Sequence, residues 1–534
     1  MDKFKLNYKR TVFVGLAFFL ITLFWTAYDA IIPKILIDKF GMSHFWSGVI
    51  MAFDNVIALF LLPLFGSISD KAKFKKGRRT PFIIVGTIIA AAALVSLSFV
   101  DAAQLKRLEP VVAVTDSDSA GYAEAMGELY DADLEISVGN EKIKLSDKFE
   151  RDEFVNYVEQ YRGTVTGDVD TQSKEYMAFV SDYVTPARQA YAAKTVSSAP
   201  SAMILFIVIL LLTLIAMATF RSPAVALMPD VTPKPLRSKA NAIINLMGVV
   251  GAVIILASGI LFGTGNPQNS LMSYVVYFAM VAVLMVLALV VFLFTVNEPK
   301  LVKKMKQESE EMGIADEADD GSDKSDKKAH GKLSRGEFRS LIFILLSVIF
   351  WFMGYNAVTS KYSVYAGAVL QLDYNTTLIL AQAAALIAFI PVGILATKIG
   401  RKKSILIGVA FLTSAVFVGS FFDAGVNIWF VNVVFVFAGL GWAMINVNSY
   451  PMVVELASRG NVGKYTGFYY TASMSAQTLT PILSGFFLDE YGIKTLFPYA
   501  AICVGISFVT MLFVKHGDSK PLAKKPSLEA LDVD

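Results

Sequence analysis

Apolar runs long enough to cross a bilayer return again and again along this chain, and that pattern admits few folds. The hydrocarbon core offers no water to hydrogen-bond, so each crossing must satisfy its own backbone, as a helix of about 20 residues does. With 534 residues, 55% of them hydrophobic, and a mean hydropathy of +0.55, the chain is too apolar for a soluble protein. It has room for about a dozen such helices. The runs read as spans at 11–36, 45–65, 81–100, 202–220, 240–262, 273–296, 340–358, 377–397, 404–422, 428–447, 467–488 and 496–514. An all-α membrane protein with 12 transmembrane helices follows.

The loops set the orientation. Residues 66–82, GSISDKAKFKKGRRTPF, carry Lys71, Lys73, Lys75, Lys76, Arg78 and Arg79 against the one acid Asp70. Lysine and arginine collect on the cytoplasmic side of a membrane protein, so this loop and the basic 221–239 stretch are read as cytoplasmic, with both termini on the same side. Residues 101–199 break the apolar pattern, with 19 acidic and 10 basic residues and a net charge of −9. They read as an acidic extracellular insert between spans three and four, with a hairpin over 134–145 and a helical aromatic face over 148–161. Residues 297–338 are polar and of low complexity, and read as a disordered cytoplasmic linker. The chain thus divides into an N-terminal half (1–100 and 200–296), the insert, the linker, a C-terminal half (339–515) and a cytoplasmic tail (516–534).

The two halves repeat each other. Shifted by 327 positions, Tyr28, Asp29, Ala30 and Lys34 fall on Tyr355, Asn356, Ala357 and Lys361, and Gly66 falls on Gly393 in GILATKIGRKK. Asp230 and Lys239 fall on Glu455 and Lys464 at a smaller shift, and the difference matches the length of the insert. Two six-span halves with a basic loop after spans two and eight describe the major facilitator fold, in which the halves rock about a site at the midplane. Gly66, Asp70, Gly77, Arg78, Arg79, Arg221, Asp230, Gly393, Arg401 and Glu455 are then candidate gating residues, Asp70 facing a helix N-terminus across the halves and the arginines pairing with acids such as Asp230.

Carboxylates at membrane depth are costly, and are kept where they carry ions or bind substrate. Asp29 lies roughly 27 Å along span one at 1.5 Å per residue, and Asp54 lies near the middle of span two. Both are candidates for cation coupling; the competing reading is a structural carboxylate paired with Lys34, Lys361 or a tyrosine. Around them stand Trp25, Tyr28, Asn55, Trp351, Tyr355, Asn356, Gln382, Trp442, Asn446, Asn448 and Gln477. Rings that stack on pyranose faces, with amides and carboxylates for vicinal hydroxyls, are what a sugar site requires. Trp25, Tyr28, Asp29, Asn55, Trp351, Tyr355, Asn356, Gln382, Asn446 and Gln477 form the candidate substrate site.

The spacing of Gly66, Ser69, Asp70, Gly77, Arg78, Arg79, Pro81 and Phe82, with Pro33 and Pro63, resembles the plant sucrose transporters and their animal and bacterial relatives among the glycoside-pentoside-hexuronide cation symporters. The likeness continues in Pro223, Ala226, Leu227 and Asp230, in Ala240, Asn241, Ala242 and Gly251, and in Gly467 and Gln477. It implies cation-coupled, chiefly proton-coupled, import of a glucoside such as sucrose or maltose. Two departures stand out: Leu214 falls where those transporters carry their proton-coupling carboxylate, and Val225 where they carry an arginine. Asp54 or Asp29 then takes over coupling, with Arg221 standing in for the missing cation.

Proton-driven efflux of amphipathic compounds, and a transporter-derived sensor that uses the insert, are the alternatives. The sequence offers no phosphate loop, nucleophile elbow or metal-ligand spacing, and with Cys503 the only cysteine no intrachain disulfide is possible. The expected picture is a multi-pass plasma-membrane monomer that is not an enzyme, needs no cofactor or metal beyond H+ or Na+ as coupling ion, binds no nucleic acid, and has a sugar and the lipid bilayer as partners.

Overall fold

The computed structural model describes residues 6–138, 141–163, 168–171, 173–233, 236–311, 334–456 and 462–518. Twelve long helices stand among them. The first six are α1 (Tyr8–Lys34), α2 (His44–Lys71), α3 (Thr80–Arg107), α4 (Ser201–Asp230), α5 (Arg237–Phe262) and α6 (Val275–Thr295). The second six are α7 (Arg335–Tyr365), α8 (Tyr374–Ile399), α9 (Arg401–Gly419), α10 (Ile428–Glu455), α11 (Val462–Tyr491) and α12 (Leu496–Leu512). All but α8 and α11 carry a window apolar enough to cross a membrane over its whole width. The exceptions have a physical cause in α11, where Ser473, Gln477, Thr478, Thr480 and Ser484 interrupt the apolar run. Their hydroxyls return bonds to their own helix, as Thr480 does to the Ala476 carbonyl at 2.6 Å.

Packing repeats between the halves as the sequence does. In the first half α1 packs on α5 and α6, α2 on α4, and α3 on α4 and α6; in the second α7 packs on α11 and α12, α8 on α10, and α9 on α10 and α12. Each of these contacts has its counterpart six helices further on. The halves meet along α1 and α7 and along two equivalent seams, α2 with α11 and α5 with α8. The first seam is close enough to require glycine: a Cβ on Gly48 would stand 1.9 Å from the Pro481 carbonyl oxygen, and one on Gly485 2.3 Å from that of His44.

Most helices run a few residues past the expected spans, and three differences bear on the site. Helix α4 continues ten residues past the expected end at 220, because Pro223 and Pro229 are accommodated inside it and Ala224 and Leu227 remain buried. Helix α1 carries on as a π turn, Ile35–Lys39, which buries Lys39 completely. The linker opens with a helix, Glu298–Glu311, anchored by the buried Glu298, while residues 312–333 of that linker and 519–534 of the tail lie outside the described residues.

The insert has a core of its own. Strand β1 (Glu135–Val138) pairs antiparallel with β2 (Glu141–Lys144), and short helices pack Phe149, Phe154, Tyr157 and Phe179 together, Tyr157 stacking on Phe179 at 4.0 Å. Arg188 fastens this body to the first half through Ser270 Oγ at 2.7 Å and Asp38 at 3.3 Å. Just beneath, Lys39 Nζ donates to both oxygens of Asp101 at 2.7 and 2.8 Å and to the Met272 carbonyl at 2.6 Å. Both partners are fully buried, and the additional bonds satisfy charges that would otherwise be costly there. The insert also reaches the second half, where Lys174 and Met177 pack against Gly425.

Candidate functional site

The interior holds a charged cluster on α1, α2 and α4 and, beside it, a cavity lined by α1 and α5 of the first half and chiefly by α7, α8 and α10 of the second. Helix α1 places Trp25 and Tyr28 edge to face at 5.2 Å, with Asp29 on the next position exposed to the space between the halves. Asp54 on α2 accepts from the backbone and side-chain nitrogens of its neighbour Asn55, both at 2.6 Å. From α4, Arg221 lays its guanidinium over the Trp25 ring, 5.4 Å from its centre. Its charge acts on both Asp29 and Asp54, which also act on each other. Two carboxylates thus lie within electrostatic reach of one guanidinium, and the net negative charge is one that a proton or cation can balance.

Across the gap, Tyr355 of α7 stacks on Trp442 of α10 with ring centres 3.7 Å apart and planes 3° from parallel. Tyr355 faces Asp29 electrostatically. Together with Gln382, Asn446, Phe18 and Thr22, this pair lines a cavity of about 780 Å³ between the halves, most of whose wall is apolar. Three buried donors near these positions, Trp25 Nε1, Tyr28 Oη and Asn356 Nδ2, have no hydrogen-bond partner among the described residues. Buried polar groups are ordinarily paired, so these three donors, which lie outside the lining of that cavity, are open to a partner.

The sequence-derived residues thus fall into groups. Arg221 covers Trp25 and lies within electrostatic reach of Asp29 and Asp54, with Tyr28 beside Trp25, Asn55 beside Asp54 and Tyr355 within reach of Asp29, while Gln382 and Asn446 stand on the cavity wall. Trp351 is fully buried in the main core. Gln477 turns back onto its own helix, donating to the Ser473 carbonyl at 3.3 Å, and Asn448 is buried and bonded to Ser404 at 3.0 Å. Lys34 and Lys361 donate to backbone carbonyls at the insert end of the molecule, and neither bonds Asp29 or Asp54. Arg221, expected in the 221–239 loop with the gate, lies instead inside α4 beside the carboxylates. Among the described residues no cluster of three or more His, Cys, Asp or Glu could hold a metal ion.

The gating residues sit at the opposite end from the insert. Arg78 donates to Asp230 at 2.7 and 3.2 Å, and Arg79 donates to the same carboxylate at 2.8 Å. Asp70 pairs with Arg79 within its own loop, and among the described residues no bond carries it to a helix of the other half. Gly66 accepts from Ser69 at 2.8 Å, and Gly77 takes φ +105°, a conformation that side chains disfavour. In the second half Arg401 pairs with Glu455, the equivalent of Asp230, while a Cβ on Gly393 would meet nothing within 4 Å.

Glu298 was not legible from sequence. It accepts from the backbone nitrogens of Arg78, Arg79 and Thr80 at 2.8 to 3.1 Å and from the Thr80 hydroxyl at 2.7 Å, capping the start of α3. The signal was its place immediately after a spanning run, one residue before Pro299, hidden because it opens a stretch of mixed charge.

Two halves of six helices with a cavity between them and close seams at one end are the architecture of a membrane transporter. Residues 186–476 and 376–531 match the family described as Major Facilitator Superfamily, and residues 13–103 match the one described as MFS/sugar transport protein. The chain belongs to the Major Facilitator Superfamily. Solved structures agree on the fold: the inward-open xylose transporter XylE from E. coli at 15% identity and TM-score 0.55, covering 96% of this chain and 97% of that one. The nucleoside transporter NupG (D323A mutant) matches at 12% identity and TM-score 0.55, over 95% of this chain and 100% of that one. A peptide transporter POT (E310Q mutant) in complex with alafosfalin matches at 11% and TM-score 0.57, covering 95% and 93%. Among curated proteins, 108 residues are 31% identical to the multidrug resistance protein MdtG of Klebsiella pneumoniae (strain 342), 20% of this chain and 26% of that protein.

Proposed function

We propose that this transporter is a secondary active importer of a di- or oligosaccharide, a sucrose- or maltose-like glucoside, coupled to a cation and chiefly to protons. The observation that carries the reading is the meeting of Asp29, Asp54 and Arg221 beneath Trp25, opposite the stacked Tyr355 and Trp442. A pyranose between the two aromatic walls stacks on their faces, and its hydroxyls take the open donors of Trp25, Tyr28 and Asn356. The carboxylate that Arg221 does not balance takes a proton or sodium ion, which makes the filled site neutral and free to turn over. Asp54, held by Asn55, is assigned the coupling role, and Asp29, exposed to the gap, the contact with sugar.

In this orientation the insert faces outward, the basic loops and both termini lie in the cytoplasm, and the protein works as a monomer in the cell membrane. Arg78, Arg79, Asp230 and Glu298 on one half and Arg401 and Glu455 on the other hold the cytoplasmic ends of their helices rigid while the halves rock. Export of amphipathic compounds is the second reading, favoured by the largely apolar cavity wall and by the segment shared with MdtG. Proteoliposome uptake separates the two. A panel of glucosides, tested with and without a pH or sodium gradient, is expected to include one that accumulates only with the gradient; gradient-driven extrusion of a lipophilic dye, with no glucoside carried, would overturn the sugar reading.

A further inference from the structure

We propose that a second binding site, for a small hydroxylated organic anion, lies under the insert at the closed end of the transporter. A cavity of about 240 Å³ opens there, away from the central site. Its wall comes from three bodies: Arg188 of the insert, Lys34 and Asp38 at the end of α1, and Ser363 and Gly367 from the end of α7 in the other half.

Lys34, Asp38, Arg188 and Ser363 are each more than nine-tenths buried. Arg188 spends Nη1 on Ser270 and Nη2 on Asp38, but its Nε–H, and the Ser363 hydroxyl, have no partner among the described residues. Lys34 gives one bond, to the Thr264 carbonyl at 2.7 Å, and has donors left. Two cations and one carboxylate line the cavity, with Asp373 acting on Lys34 from outside the wall, and the open N–H donors of a guanidinium and an ammonium group recognise a carboxylate. The Ser363 hydroxyl then meets a hydroxyl of the ligand.

The location gives the site a consequence. Arg188 and Lys34 belong to one half and Ser363 to the other, so a ligand touching all three binds best when the halves are closed at this end. Such a ligand favours that closed state over the open one by its difference in affinity, and slows the cycle from outside. The binding claim stands apart from the identity of the transported sugar; the regulatory claim rests on the transporter reading.

The test uses the full-length protein in nanodiscs, glycerate as probe and glycerol as its uncharged counterpart. Hydrogen exchange in peptides over residues 173–188 and 362–371 is expected to slow in glycerate by about tenfold at ten times Kd, and to stay unchanged in glycerol. No protection by glycerate, or equal protection by glycerol, overturns an anion site. In Gly367→Leu, where a Cβ enters open space, the fold is kept and the added side chain fills the cavity, so the glycerate effect should vanish. Its persistence places the ligand elsewhere and overturns the assignment. In proteoliposomes, glycerate on the insert side alone should slow uptake; binding without slowing overturns the regulatory role while leaving the site.

Discussion

Lys34 and Lys361 stand 327 residues apart at equivalent positions, and each lies at the insert end of one of the two seams, Lys361 hydrogen-bonded across its seam and Lys34 bonded within the first half while facing the Tyr374 ring of α8 at 5.5 Å. Lys34 Nζ reaches the Thr264 carbonyl at 2.7 Å, where Thr264 also meets Tyr374 and Asn375 of α8. Lys361 Nζ reaches the His44 carbonyl at 3.1 Å, where Asp489 of α11 accepts from the His44 and Phe45 amides at 2.6 and 2.7 Å. Repetition has thus placed a lysine at each seam, one that crosses it by a hydrogen bond and one that braces Thr264, which itself crosses to Tyr374 and Asn375.

Removing either lysine should loosen the closed end. A hydrogen bond from a charged group contributes about 1.5–3 kcal/mol, so losing one shifts an open–closed equilibrium by about tenfold or more. In a Cys503→Ser background carrying Asn356→Cys, a thiol reagent applied from the insert side is expected to react about tenfold faster when Lys361→Met is added. Lys34→Met, which loses a bond inside the first half and only a ring contact across the seam, should act in the same direction but more weakly. Unchanged reactivity in both would show that the seams close without them.

Gly48 makes the complementary prediction. With Pro481 oxygen only 1.9 Å from where its Cβ would stand, Gly48→Val prevents α2 and α11 from closing. Transport should be lost while labelling of the interior from the insert side rises. Gly393→Ala, with nothing within 4 Å, is expected to leave this closed state undisturbed.

Glu298 is predicted to hold the basic loop in place. Glu298→Gln keeps the size but removes an acceptor shared by three amides and a hydroxyl, at a cost of about 1–2 kcal/mol. The melting temperature of the purified protein should fall and uptake should slow, with an effect like that of Asp230→Asn, which strips Arg79 of a buried partner. A variant with unaltered melting and rate would reduce the cap to a passive contact.

What the sequence revealed follows from the strength of each constraint. The bilayer dictates apolar runs, so the helices and their duplication were legible, and a loop rich in arginine near Asp230 announced its own pairing. Partners brought from afar were not legible: Asp489 caps a helix 445 residues upstream of it, and Arg188 meets Asp38 only because the insert folds back. Pro223 made residues beyond 220 read as loop, which put Arg221 at the gate when its helix carries it to the centre. Lys34 and Lys361 read as partners for membrane carboxylates, yet both side chains run to carbonyls at the helix ends, as long cationic chains in membranes do.

The central claim is that Asp54 carries the coupling cation. Asp54→Asn, reconstituted in proteoliposomes with labelled glucoside, keeps Asn55 beside a neutral group and leaves Asp29 to pair alone with Arg221. Sugar is predicted to equilibrate down its own gradient but no longer to concentrate when a proton gradient is applied. Accumulation by the Asp54→Asn protein to the level of the unaltered transporter would contradict the account.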